Sequence, residues 1–304
     1  MKTTTAAAIA LSASLVAAPA HARLITVSPG PGTPLQDAIA AAAPNDTLKL
    51  ARGGYPEPIV IDRPLKILGS FSVLDGGCDA PAAVTVAADN VVLQDLIVQG
   101  GSVANVDVQT RHKVTLKRIQ TLPSCSGVLY GVNAVATTRL TIKDGLSFAY
   151  DPILASRDGC PPLPGSSRVY AEAALRLLST PAGGRARLVG NAACVGETTA
   201  LEITDTTRAL HGPASVTVQR NFFLADDRGI VLTNSDGVEI RSTHVEHFPG
   251  QGSNGILVDA TSDDNLFAQN VISGYTTDAS DAGSSNCWRM TTFTTGSVPV
   301  TGCP

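Results

Sequence analysis

What this sequence has little of narrows its chemistry before any motif is read. Aromatic side chains make up 4% of the 304 residues, with a single Trp. Grooves for neutral sugars favour aromatic faces, which combine apolar area with a polar handle. The scarcity therefore points to a charged ligand, or away from sugar altogether. Excess positive charge is also missing, since the formal net charge is −4. That balance argues against non-specific nucleic-acid binding, which needs clustered cations, and it leaves no basic tail for a membrane surface. There is no C-x-x-C pair and no His spacing of the zinc type. Two Met and five His give little support for metal delivery, and no EF-hand or glycine-rich nonapeptide calcium loop is present. No metal site is expected, and nothing names a cofactor.

Long apolar runs are confined to the N-terminus. Lys2 starts an alanine-rich stretch carrying Leu11, Leu15 and Val16, and Ala20-His21-Ala22 follows with small residues at its two ends. This is the pattern of a secretory signal cleaved after Ala22. It is too short and alanine-rich for a stable membrane anchor. Residues 1–22 are read as the signal and 23–304 as one domain, because no linker divides the chain; the destination is the periplasm or the exterior. All six cysteines follow the signal: Cys78, Cys125, Cys160, Cys194, Cys287 and Cys303. An even number in an exported chain reads as disulfides. Cys287 and Cys303 sit together in the C-terminal tail and are expected to pair. The other four allow three connectivities, of which Cys78–Cys125 with Cys160–Cys194 joins nearby coils in each case.

An irregular repeat carries the fold. Short β-rich triplets start at Leu65, Val91, Val114, Leu140, Ala186, Val216, Val238 and Asn265, at spacings of 26, 23, 26, 46, 30, 22 and 27. A second set advances with them: Val84–Val86, Val106–Val108, Asn133–Val135, Leu201–Ile203, Ile230–Leu232 and Ile256–Val258. First and third positions are mostly apolar, whereas Lys66, Thr115, Thr141, Arg187, Thr217 and Glu239 stand in the middle. With a strand period of two, one face of each triplet is apolar and cannot be buried by one coil alone. Stacking buries it and pairs the backbones as parallel ladders. The expected architecture is an all-β, single-chain right-handed parallel β-helix of about eight coils.

The exceptions to the repeat have their own readings. The 46-residue step contains Asp151-Pro152, Cys160, three further prolines and Gly165, which makes 150–168 an inserted surface loop. Three residues after the ends of successive triplets stand Asn191, Asn221, Thr243 and Asn270, each followed by an apolar residue two positions on. That register predicts stacked side chains bonding the turn backbone. Solenoid ends need caps. Thr33-Pro34-Leu35-Gln36 reads as a capping box opening a helix over 33–43, with Leu35, Ala38, Ile39 and Ala42 on one face. Residues 284–304, with Trp288, form the other cap; Trp288 is read as a packing residue, with sugar stacking the alternative.

The opening segment resembles the pectate-lyase-like right-handed β-helix superfamily, in particular its NosD-like and carbohydrate-binding/sugar-hydrolase branch. The residues that carry this are Leu35-Gln36-Asp37-Ala38-Ile39, Pro44-Asn45-Asp46-Thr47-Leu48, Gly54-Tyr55 and Ile59-Val60-Ile61-Asp62-Arg63-Pro64-Leu65-Lys66-Ile67. Gly229-Ile230 and Gly255-Ile256 extend the likeness to later coils. The resemblance implies the fold; it implies no reaction, because the polygalacturonase and pectinesterase motif sets are absent and no catalytic residue carries over.

Two clusters are candidate sites. Coil alignment sets Asp226, Asp227 and Arg228 beside Glu246 and His247. Two carboxyl groups of opposite protonation are what glycoside hydrolysis needs, with His247 or Arg228 to tune or bind; the bland alternative is turn chemistry. The second cluster is basic: Lys117 and Lys143 share a register on adjacent coils, Arg118 follows Lys117, and Arg111, Lys113 and Arg139 lie near. Such a strip suits an anionic polysaccharide, with Lys117 as the candidate base of a uronate lyase; the alternative is a solvated face countered by Asp95 and Asp144. The expected partner is a polysaccharide of acidic type, with a non-catalytic structural, adhesive or accessory role as the rival.

Overall fold

The computed structural model describes residues 21–148, 172–195, 199–208, 213–225, 227–247, 252–298 and 303. The chain is a right-handed parallel β-helix in which every strand pairing is parallel. A typical coil has three short strands, such as Arg228–Thr233, Val238–Arg241 and His244–Glu246. The first of each coil builds a ten-stranded first ladder, and the other two share a seventeen-stranded sheet, its second and third ladders meeting at a corner.

The alternating triplets explain the register. Leu140 pairs with Val114 on one side and Ala186 on the other, and Ala186–Val216 and Val216–Val238 continue the row. Lys66–Val92–Thr115 and Glu239–Leu266 complete it, so the eight triplet starts align residue for residue. The pairing also runs on beyond them, to Thr47–Leu50 at one end and Cys287–Arg289 at the other. First and third residues such as Leu116, Ile142, Leu188, Val218 and Ile240 are buried in one continuous core. Burying each such side chain contributes about 1.5–3 kcal/mol.

One register differs from expectation. The first ladder pairs Val106 with Val132 and Val132 with Leu175, so the buried triplet is Val132–Ala134 and not Asn133–Val135. Either parity carries one valine, and only the neighbouring coils choose between them.

The corner between the second and third ladders turns on one left-handed residue per coil: Asp95, Arg118, Asp144, Gly190, Arg220, Ser242 and Gln269 all have positive φ. The buried amides follow directly. Asn221 Oδ1 accepts from the Asn191 amide N–H at 2.8 Å, while Asn221 Nδ2 donates to Leu188 O at 3.0 Å. Asn191 and Asn270 repeat the pattern toward Gly145 and Thr243. A second ladder of buried hydroxyls, Thr137, Thr180, Thr206, Ser235 and Ser262, lines the corner after the first ladder. Gly229 is required by close approach: a Cβ there would lie 2.1 Å from Val245 Cγ1.

Both ends are closed differently from a simple capping motif. The helix is Pro34–Ala41, and Leu35 and Ile39 are fully buried. Thr33 makes no side-chain cap; the buried Glu57 carboxylate instead accepts from the Leu35 and Gln36 N–H groups at 2.8 and 3.0 Å. The expected capping box is thus replaced by a carboxylate from the next turn of chain, which meets the positive end of the helix. At the other end Trp288 stacks on Phe267 at 4.0 Å and its indole N–H donates to Asp281 at 2.7 Å, so it packs as a rung. Cys287 is bonded to Cys303 and Cys78 to Cys125. Cys194 is also in a disulfide; Cys160, its expected partner, lies outside the described residues, as do residues 150–168 and most of the 1–22 segment. Among the described residues no helix is long and apolar enough to cross a membrane.

Candidate functional site

The outer face of the second ladder carries a concentrated charge of one sign. Strand alternation projects Thr115 and Lys117 outward on one rung, Arg139, Thr141 and Lys143 on the next, then Arg185, Arg187 and Val189, and the left-handed Lys113 immediately precedes the first of these strands. The register stacks Arg139 on Arg185, Thr141 on Arg187 and Lys117 under Lys143. Six of these nine positions are cations and none is acidic. Rungs are ~4.8 Å apart and alternate residues of a strand ~6.6 Å apart. Lys113, Arg139, Arg185 and Arg187 are exposed. Among the described residues none of these four has an ion-pair partner, while Lys143 Nζ lies 3.9 Å from Asp144. Thr115 and Thr141 supply hydroxyls between the two basic edges.

Arg118 belongs to the corner and not to this face. It is left-handed at φ 50° and pairs with Asp95, its Nη2 donating at 2.7 Å. The guanidinium holds the Asp95 carboxyl below its ordinary range, and the carboxylate raises Arg118 in turn. Its charge is therefore largely committed. Arg185 and Arg187 were the missed members of the patch. They lie 46 residues beyond Arg139 and Thr141 in sequence, across the inserted loop, and the strand pairing makes them neighbours.

The acidic and imidazole cluster looks different. Asp226 lies outside the described residues. Asp227 accepts from Arg228 Nε at 3.0 Å and from Ser253 Oγ at 2.8 Å, and its backbone carbonyl accepts from Ser253 N at 2.9 Å. These bonds tie one coil's turn to the next. Leu224 pairs with Glu246 as aligned from sequence. Glu246 is half-exposed beside His244, at 3.9 Å. His247 is buried against the Tyr275 ring at 5.3 Å. Among the described residues no group of three or more His, Cys, Asp or Glu could hold a metal ion.

A third polar column, on the first ladder, escaped the sequence reading. Asp107, Asn133, Arg176 and Glu202 stack on four successive rungs. Asn133 Nδ2 and Gln109 Nε2 both donate to Asp107, at 2.8 and 2.6 Å, and Arg176 lies 3.7 Å from Glu202 while covering the Tyr130 ring. Burial and the neighbouring Glu172 carboxylate, which accepts from its hydroxyl, push Tyr130 well above the ordinary phenol range. Mixed signs let this column satisfy itself. The stacked cations Arg139 and Arg185, or Lys117 and Lys143, cannot do so, since each only donates.

With this geometry in view, the solved structures can be compared. A pectate lyase, Pel9A, superposes with a TM-score of 0.51 over 91% of this chain and 78% of its own, at 12% sequence identity. The two chains share the parallel β-helix fold. Looser likenesses, too distant to align side chains, are an alginate lyase from Paenibacillus sp. str. FPU-7 and the A-module of the Azotobacter vinelandii mannuronan C-5 epimerase AlgE6. The first has a TM-score of 0.40 at 11% identity, covering 88% of this chain and 95% of that one. The second has 0.34 at 12%, covering 88% and 94%. No protein-family model and no curated protein matches the sequence. At 12% identity this β-helix shares architecture with Pel9A, and chemistry has to be argued from its own residues.

Proposed function

We propose that this protein is exported and holds an acidic polysaccharide against the basic face of its second ladder. One observation carries the reading: six cations on three consecutive rungs, with no carboxylate among them, in a chain of net charge −4. Keeping like charges this close costs stability unless a polyanion occupies the face, and a local positive field on an acidic molecule steers such a ligand to it. The fold shared with a pectate lyase supports the substrate class, and disulfides support an oxidising compartment. Processing by lyase, hydrolase or epimerase chemistry belongs to the same proposal, with Lys117 at the edge of the face as the candidate base.

The test is a titration of the purified protein with polygalacturonate, alginate, heparin and neutral dextran at low and high salt. Binding to the polyanions alone, weakening as salt rises, is the expected result. Equal binding to dextran, or none to any polyanion, overturns it. New absorbance from an unsaturated bond in the same mixtures reports lyase action. A non-catalytic docking role is the second reading, favoured by the engagement of Asp227 in turn bonding, and binding without turnover supports it.

A further inference from the structure

The basic column of Lys117 and Lys143 does not stop at the inserted loop. Register carries it through Val189 and Gln219 to Arg241, then Ala268 and Arg289. Six rungs separate Lys117 from Arg289, about 29 Å at ~4.8 Å each. At the far end lies a pocket of about 330 Å³ whose lining includes three arginines, Arg208, Arg241 and Arg289, and two carboxylates, Glu239 and Asp264. That is a small-ligand volume, in the range of roughly 300 Å³ upward. The pocket is built, not incidental. Arg241 and Arg289 enter it from rungs on either side of the buried Ala268. The stem of Arg208 rests on Gly237, where a Cβ would lie 2.7 Å from it, and closes one wall. Arg241 is paired with Glu239, whereas Arg289 is exposed and has no ion pair among the described residues.

We infer that the acidic chain lies parallel to the solenoid axis, and that this pocket is a terminal subsite taking one anionic sugar unit at Arg289. The inference rests on the proposed binding reading and adds direction and length to it. A chain lying along the strands would meet one rung only and could never reach the pocket. A chain along the axis meets the basic face first and Arg289 only when long enough to span the intervening rungs.

The experiment is a length series of oligogalacturonates, disaccharide to decasaccharide, titrated into wild type, Arg289→Ala and Arg289→Lys. Affinity in wild type is expected to climb again once the oligomer spans the gap. Arg289→Ala should weaken the long oligomers about fivefold, the weight of one surface cation, leave the short ones unchanged, and be largely rescued by Arg289→Lys. An Arg289→Ala effect independent of length, or no effect at any length, overturns the axial arrangement while binding to the basic face stands. Absence of binding by wild type to every oligomer brings down the underlying reading as well.

A separate observation concerns the first rung. Asp46 is fully buried, and its carboxylate accepts from the Arg23 backbone N–H at 2.7 Å, the Arg23 guanidinium at 2.7 Å and the Ala43 N–H at 2.8 Å. Arg23 directly follows Ala20-His21-Ala22. We propose that Asp46 is the seat of a processed N-terminus. Hydrolysis of the Ala22–Arg23 bond by water leaves a carboxylate on Ala22 and an ammonium group on Arg23, so an amide donor to Asp46 becomes a charged one. The processed form should melt about 2–4 °C higher than one retaining His21-Ala22. Acetylating the new amine should erase the gain, and so should Asp46→Asn. Equal melting of the processed and extended forms overturns this proposal.

Discussion

Two columns of like residues, one inside the corner and one on the outer face, behave in opposite ways. Asn191 and Asn221 stack within the wall, and each amide both donates and accepts, so the column satisfies itself from rung to rung. Arg139 stacks on Arg185 and Lys117 on Lys143 on the outside, and a cation only donates. The same register that makes the first column structural leaves the second in need of an external anion. A parallel solenoid amplifies whatever its sequence repeats, and the chemistry of the repeated group decides whether that becomes stability or a binding surface.

The largest effect that would sharpen this contrast is expected inside. Asn221→Ala strands the Asn191 N–H and the Leu188 carbonyl, both buried, and should cost about 2–4 kcal/mol. Thermal unfolding checks it, and a loss below ~1 kcal/mol would break the comparison. Reversing Arg139 and Arg185 together to Glu should do the opposite. The melting temperature should hold or rise, while polygalacturonate affinity falls by a factor of tens, at about 1 kcal/mol or more per reversed charge. Asp227→Asn removes a turn tie with no role on the basic face. A loss of about 0.5–1 kcal/mol with unchanged binding is expected, and abolished turnover would restore Asp227 as a catalytic group. The smallest effect is confined to acid. Arg23 holds Asp46 at about 2, below its unfolded range near ~3.9. The stability from this pair is complete above pH ~4 and is lost as pH falls toward 2. Melting curves of wild type and Asp46→Asn should therefore converge between those values, and a constant gap would show that the carboxylate's charge is not what matters.

Much of the fold was legible because the burial rule is local. A period-two alternation at Val114-Thr115-Leu116 or Val238-Glu239-Ile240 states which side faces inward, whatever the distant partner is. Where the alternation was evenly balanced, at Val132–Val135, parity slipped by one and only Val106 and Leu175 settled it. The hydroxyl ladder from Thr137 to Ser262 gave no signal, because Ser and Thr are common in solvated turns too. Nothing in the local sequence marks Glu57 as a helix cap, because the helix it caps lies more than twenty residues earlier. The basic strip was half visible: Lys117 and Lys143 could be aligned, but Arg185 and Arg187 joined it only through pairing across a long insertion.

By itself, then, the order of residues determined the class of fold, the stacked corner amides and the acidic overall balance, since each follows from short-range alternation or plain composition. Tertiary structure alone decided which charges share a surface and which are spent on neighbours. Charge acts through space, and in a solenoid the nearest neighbours in space lie a whole coil apart in the chain.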